Sequence, residues 1–312
     1  MKVLITGATG FIGQRICEKL IEEGSDVVVL SRDAQRAKSE IGLPVEAYSW
    51  NPASELPPQA AFEGVTGVIH LAGESVAEGR WTKAKRKRIL ESRTRSTAHL
   101  VQAMKQYGKS IEAFVCASAI GYYSERGDEL LDEKAARGEG FLADVCEAWE
   151  AEAAKADSFT RRVSIRIGMV LGHGGALQKL LPIFRLGLGG KIGNGKQWMS
   201  WIHVDDLAGL FIHSLRTEQL RGPVNGVAPH PVTNKDFTKS LASALGVPAF
   251  LPVPVLALRV AMGQMSELAT KSQRVRAAKA VDSGYTYQYP TIDQAFAEIC
   301  PSKKKSLKKS FA

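Results

Sequence analysis

Three glycines in one eight-residue stretch, Thr6-Gly7-Ala8-Thr9-Gly10-Phe11-Ile12-Gly13, carry the first chemistry that can be read from the chain. A short β-branched run, residues 2–5, precedes the stretch, and residues 13–23 after it read as a helix. A strand, a Gly-rich turn and a helix N-terminus together suit a dinucleotide pyrophosphate. Glycine permits the tight turn and the close approach of backbone, and the positive end of the helix meets the phosphate charge. The third glycine lets that helix pack close to the sheet. Gly7, Thr9, Gly10, Phe11, Ile12 and Gly13 are therefore candidate cofactor-binding residues.

The end of the next strand, residues 26–30 (DVVVL), selects among dinucleotides. An acid there would accept hydrogen bonds from the ribose hydroxyls of NAD, but the chain has Ser31-Arg32, and Asp33 lies one or two places too far. A guanidinium pairs bidentately with a 2′-phosphate and a neighbouring hydroxyl adds a bond, which points to NADP(H). The competing reading of Arg32 is a solvent-facing loop residue. After the strand at residues 67–71 (GVIHL), the small Leu71-Ala72-Gly73 step leaves room for the adenosine side of the cofactor or simply turns the chain.

These residues need a scaffold that brings strand ends together. Further strands are expected at 45–48, 67–71, 113–117 and 163–167, the last after a helix at 141–154, with a return to the sheet at 224–227. Nearly all-apolar strands separated by helices predict an α/β fold, a doubly wound parallel sheet covered on both faces. Residues 229–299 read as mostly helical, with a Pro-rich hinge at 251–254. The expected division is a cofactor domain over 1–228 with a substrate-lobe insertion around 172–204, a smaller C-terminal lobe over 229–300, and a basic, disordered tail over 301–312.

Composition narrows the function classes. With 45% apolar and 23% charged residues the chain is globular in character. Cys17, Cys116, Cys146 and Cys300 are far apart with no CxxC pair, which argues against a zinc ribbon or disulfide scaffold and for a reducing, cytoplasmic home. No metal-ligand spacing and no apolar run of about 18 residues is present, so neither a metal nor a membrane partner is expected. Five lysines in the last twelve residues supply more than half of the +9 net charge, which weakens a nucleic-acid reading. The basic run 80–95 reads as a solvated helix face with Trp81, Ile89 and Leu90 as packing positions. The oligomeric state is left open.

Taken together, TGATGFIG, HLAG, ASAIGYY, SIRIGMVLG and WIHVDD resemble the extended short-chain dehydrogenase/reductase superfamily over about the first 230 residues. GRWTKAKRKRILESRTRST, GYYSERGDELLDE and FLADVCEAWE are similar to an atypical, epimerase-like branch. Its C-terminal domain of unknown function is similar to residues 248–299. The resemblance implies a Rossmann fold and an NADP(H)-dependent oxidoreductase or epimerase-like activity on a small polar or nucleotide-linked substrate. That chemistry uses a Ser and a YxxxK pair, in which the lysine lowers the pKa of the phenol. The resemblance puts the serine at Ser118 but the YxxxK positions at Phe141 and Val145, which carry neither proton nor charge. The departure opens a second reading, a non-catalytic NADP(H)-binding regulatory or partner-binding protein.

The remaining candidates follow from the same comparison. Tyr123 is either an acid in a different geometry, acting with Ser118, or a buried phenol; Tyr122 borders the substrate. His203 is expected to shape the substrate cleft, and Asp205 or Asp206 to cap the following helix. Arg166 falls at a strand end beside the cofactor cleft, with Arg185 and Lys191 in the substrate region, placed to hold an anion or simply at the surface. Cys146 lacks a thiolate-stabilising neighbour, and Glu150 reads as a solvated helix face.

Overall fold

The computed structural model describes residues 1–301; the Lys-rich tail expected to be disordered lies outside the described residues. Seven strands form one parallel sheet: β1 (Lys2–Thr6), β2 (Asp26–Ser31), β3 (Glu46–Ser49), β4 (Gly67–His70), β5 (Ala113–Ala119), β6 (Arg161–Ile167) and β7 (Gly222–Gly226). Their order is β3-β2-β1-β4-β5-β6-β7, with Val3 paired to Val27 on one side and Gly67 on the other. Strand order reverses between β1 and β4, so the crevice at their carboxyl ends is the switch point where ligands of such sheets bind. Val3, Leu4, Ile5, Val68, Ile69 and Val115 are sealed from solvent on both faces, as a parallel sheet roofed by helices requires.

The covering helices are α1 (Phe11–Glu22), α2 (Ala34–Ile41), α3 (Lys83–Tyr107), α4 (Phe141–Ala154) and α6 (Val204–Arg216), while α5 (Gly175–Arg185) packs beside them on Met169–Leu171. Each buries one stripe: α1 turns Ile16, Cys17 and Leu20 inward, while α3 buries Ile89, Leu100 and Met104. Thr82 starts α3 by accepting the Lys85 amide at 3.2 Å. The expected strand positions are met to within about two residues at each end.

The C-terminal part departs from the helical expectation in part. Helices α7 (Asn234–Leu245) and α8 (Val255–Met262) and a last helix, Ile292–Ile299, are present, but so are two strand stitches. Val232–Thr233 pairs antiparallel with Trp198–Met199, and Arg274–Val275 pairs parallel with Leu130–Leu131. Two-residue strands carry no periodicity, so the sequence pattern could not show them. A second apolar cluster joins Leu171, Leu177, Phe184 and Trp201 to Phe237, Leu241 and Phe296, so the 169–203 region and the C-terminal helices share one core.

Asp206 anchors that C-terminal segment to the sheet domain. Its fully buried carboxylate accepts the Gln288 and Tyr289 amides at 2.7 and 3.0 Å. The Tyr285 hydroxyl donates to the Asp206 carbonyl and the Tyr287 hydroxyl to that of Val227. Asp206→Ala strands two buried amide donors, and we expect it to cost about 3 kcal/mol of unfolding free energy. Urea unfolding of the full chain checks this; a loss under about 1 kcal/mol would show that the clamp is dispensable.

Candidate functional site

A cavity of ≈ 550 Å³ opens at the switch point. Its floor is Gly7, Ala8, Thr9 and Gly10; Leu71, Ala72, Gly73 and Glu74 form one wall and Leu30, Ser31 and Arg32 another. Gly7 turns at φ 73°, and a Cβ there would lie 2.9 Å from the Leu71 carbonyl carbon, so only glycine fits both the turn and the neighbour. Gly10 caps α1 without a side-chain hydrogen bond, and the first turn holds no acid. The amides of Phe11, Ile12 and Gly13 have no acceptor among the described residues, leaving the positive helix end free for an anion. Phe11, Ile12 and Gly13 themselves do not line the cavity. The Phe11 ring lies against Gly172, Gly174 and Gly175, and a Cβ on Gly13 would come within 2.7 Å of Ala8 Cα. Gly13 thus brings helix and turn together.

Arg32 is exposed and, among the described residues, has no ion-pair partner. Asp33 is occupied: its carboxylate caps α2 by accepting the Arg36 amide at 3.0 Å. It is therefore committed to the helix rather than turned to a ribose.

The opposite rim corrects the reading of residues 80–95. Arg88, Glu91, Ser92 and Arg95 of α3 face the cavity, so part of the basic run is cavity wall rather than only a solvated face. Trp50, Asn51, Pro52 and Ala53, in the loop after β3, complete the lining. Sequence reasoning missed these residues, although they follow a strand end just as Ser31-Arg32 does, and ligands gather along that edge.

A buried polar chain beneath the Leu71–Gly73 wall was also missed. Thr6 Oγ1 accepts the Leu71 and Ala72 amides, each at 3.2 Å, so its proton goes to His70 Nδ1 at 2.6 Å. Thr97 and Ser96 spend their hydroxyl protons on the carbonyls of Arg93 and Ser92, so they accept from His70 Nε2–H at 3.0 and 3.2 Å. The imidazole is the neutral Nε2–H form. Complete burial, with Arg93 adding a smaller push, lowers its pKa to about 3.

On the β5–β6 side the candidates are brought together, but with each other. Ser118 is buried and donates to Glu150 Oε1 at 2.6 Å. Arg166 gives Nε and Nη2 to the two Glu150 oxygens, each at 2.9 Å, and Nη1 to the Tyr123 hydroxyl at 3.0 Å. Tyr123 in turn donates to Asn225 Oδ1 at 2.7 Å, and the Tyr122 ring covers the guanidinium at 3.5 Å. Two expectations are corrected, and the geometry favours one of the two readings of Tyr123. Glu150 is the partner of a buried arginine and not a solvated face. Arg166 has its guanidinium edge filled and is not free for a substrate anion. Tyr123 is wholly buried, and burial pushes its phenol up to about 12, which favours the structural reading over the acid.

The YxxxK positions are likewise packed. Phe141 meets Trp81 edge-on with ring centres 5.4 Å apart, and Val145 joins Trp81 and Ile89 in an apolar cluster. Burial pushes the Cys146 thiol up to about 11, an inert side chain near neutral pH. His203 is a further correction. It is buried, it rather than Asp205 or Asp206 caps α6 by accepting the Asp205 amide at Nδ1, and its Nε2 meets Glu298 at 3.0 Å. Asp205 pairs with Arg15 instead. Arg185 and Lys191 do not line the cavity, and among the described residues no cluster of His, Cys, Asp or Glu could hold a metal ion.

Comparison with known proteins places this geometry among relatives. Residues 3–225 match the NAD dependent epimerase/dehydratase family, and residues 253–299 match a domain of unknown function, DUF1731. The chain is 36% identical to "Epimerase family protein SDR39U1 homolog, chloroplastic" of Arabidopsis thaliana, covering 96% of this chain and 86% of that one. It is 34% identical to "Epimerase family protein YfhF" of Bacillus subtilis, covering 97% and 99%. The crystal structure of human epimerase family protein SDR39U1 (isoform 2) with NADPH superposes with a TM-score of 0.86 at 33% identity, covering 96% and 99%.

The His70 chain makes a pH prediction. The folded pKa is lowered, so above pH 6.5 the group is neutral in both states and adds no pH dependence. As pH falls below 6.5 the unfolded state takes up the proton first, and stability drops until about pH 3. Between pH 6.5 and 5 this amounts to roughly 1 to 2 kcal/mol. Urea midpoints at both pH values should fall further for the native chain than for His70→Gln; equal slopes would refute the assignment.

Proposed function

The chain belongs to the NAD-dependent epimerase/dehydratase family, and from that membership we propose that it binds NADP(H) in the switch-point cavity and works through that cofactor. The observation that carries the reading is the uncapped N-terminus of α1 over the Gly7–Gly10 floor, with Ser31 and unpaired Arg32 at the rim. Backbone amides there suit a pyrophosphate, and Arg32 suits a 2′-phosphate, whereas Arg88 and Arg95 in the lining already pair with Glu74 and Glu91. The human relative SDR39U1 was crystallised with NADPH, which supports the same choice. Bound there, the dinucleotide would supply a hydride donor or acceptor. In this reading residues 1–228 form the cofactor unit and residues 229–300 the lobe beside it.

What the protein does with the cofactor divides into two readings. An oxidoreductase or epimerase-like enzyme acting on a small polar or nucleotide-linked substrate needs a group to move a proton. A non-catalytic NADP(H)-binding regulatory protein does not. Phe141 and Val145 packed against Trp81, the Ser118 hydroxyl given to Glu150, and the sealed Tyr123 favour the second. We adopt it: the family's binding site serves here as a cofactor receptor without Ser-Tyr-Lys proton transfer.

Calorimetric titration should show NADPH bound more tightly than NADH. Arg32→Ala should cost about 2 kcal/mol, roughly 30-fold, for NADPH and leave NADH nearly unchanged. Preference for NADH would sink the cofactor assignment. Labelled NADPH should exchange no hydride with carbonyl substrates. Exchange that vanishes in folded Ser118→Ala or Tyr123→Phe would restore the enzyme reading.

A further inference from the structure

Six of the eleven exposed large apolar residues among the described ones crowd a single face: Leu186 (75% exposed), Leu188 (57%), Phe250 (76%), Leu251 (47%), Leu256 (72%) and Val260 (68%). The two segments that carry them run side by side. The Gly193 amide donates to the Val253 carbonyl at 2.9 Å and the Val253 amide to that of Lys191 at 2.8 Å. Helix α8 follows at once, buries none of its residues, and sets Leu256 and Val260 one turn apart on the same side. Proteins that remain alone in water rarely leave a contiguous apolar surface beyond a few hundred Å².

The segments that build this face carry charge of one sign. Residues 158–204 and 237–266 contain no Asp or Glu, while Lys179, Arg185, Lys191 and Arg259 lie among the apolar residues in sequence. The loop that touches α5 and α8, through Ala77 with Lys179 and Arg80 with Val260, brings two acids, Glu74, which pairs with Lys85, and Glu78, offset in charge by Arg80. A second copy of the chain docked here would set arginine and lysine against their own kind. An anionic lipid surface satisfies both features, taking the leucines and Phe250 into its acyl boundary and the cations among its headgroups. We propose that this face, built from the end of α5, residues 186–193, residues 248–254 and α8, rests on an anionic bilayer. Helix α8 lies in the interface, and no helix among the described residues is long and apolar enough to cross it. The five lysines of the last twelve residues add charge of the sign that such a surface attracts.

The test is co-sedimentation of the full chain with vesicles of phosphatidylcholine, alone or doped with phosphatidylglycerol. Binding is expected to the doped vesicles only, weakening as salt rises. It should fall at least about tenfold in Leu256→Asn/Val260→Asn and in Arg185→Glu/Arg259→Glu. Circular dichroism and NADPH affinity serve as the folding check for both pairs. Equal binding to both vesicle types would overturn the proposal. So would binding that survives Leu256→Asn/Val260→Asn but disappears when residues 302–312 are removed, since the tail alone would then account for it. A dimer in light scattering that the same double variant abolishes would assign the face to a second copy instead.

Discussion

A guanidinium taken out of water has to be given back its hydrogen bonds, and Arg166 is where this structure meets that demand. Arg166 lies on β6 with its side chain almost closed to solvent, and a bidentate carboxylate from α4, a phenol from the turn after β5 and an aromatic face surround it. Removing one partner of such a pair leaves a buried charge uncompensated, a large penalty, so each partner is held in place by the others. The chain of bonds runs on through Tyr123 to Asn225 on β7, whose side-chain amide donates to the Arg276 carbonyl and whose backbone amide donates to Glu133. One charge thereby ties four neighbouring elements of the sheet region to the segment that carries Arg276.

The same demand explains the division of the sheet's carboxyl edge. At β1, β2 and β4 polar groups are left without partners among the described residues: three amides at the start of α1 and the Arg32 guanidinium at the cavity rim, beside a wall backed by the Thr6–His70–Thr97 chain. At β5 and β6 polar groups are used up inward. Ser118 donates to Glu150 and Tyr123 to Asn225, and Arg166 divides its donors between Glu150 and the Tyr123 hydroxyl. Phe141 and Val145 complete the exchange, since aromatic and aliphatic side chains there pack with Trp81 and Ile89.

Much of the fold was legible because both local signals agree with it. Strands such as VLIT and GVIH are buried on every residue and apolar on all but their last, and α1 and α3 alternate with them at helical period, so a covered parallel sheet follows from pattern alone. The two-residue stitches at Val232–Thr233 and Arg274–Val275 escaped because so short a segment has no period to read. The cavity was half legible: Gly7, Gly10, Ser31 and Arg32 stand in a recognisable strand–turn–helix order, whereas Trp50 and Arg95 reach it from elements with no motif of their own.

What the sequence determined by itself is therefore what depends on neighbours along the chain. That includes the strand–helix alternation, the turn at Gly7, the helix end at Gly10, the absence of an acid at position 32, and the loss of proton donor and charge at Phe141 and Val145. What only the tertiary structure decided is the fate of side chains whose partners are distant. Glu150 looks like a surface acid until Arg166, sixteen residues on, is folded against it. His203 looks like a cleft residue until Glu298 arrives at its Nε2, 95 residues later. Tyr123 could be a free phenol or a buried one until Asn225 takes its proton. A polar side chain carries its chemistry in its type, but whether that chemistry is available depends on which donors and acceptors folding brings within about 3 Å, and sequence spacing does not encode that.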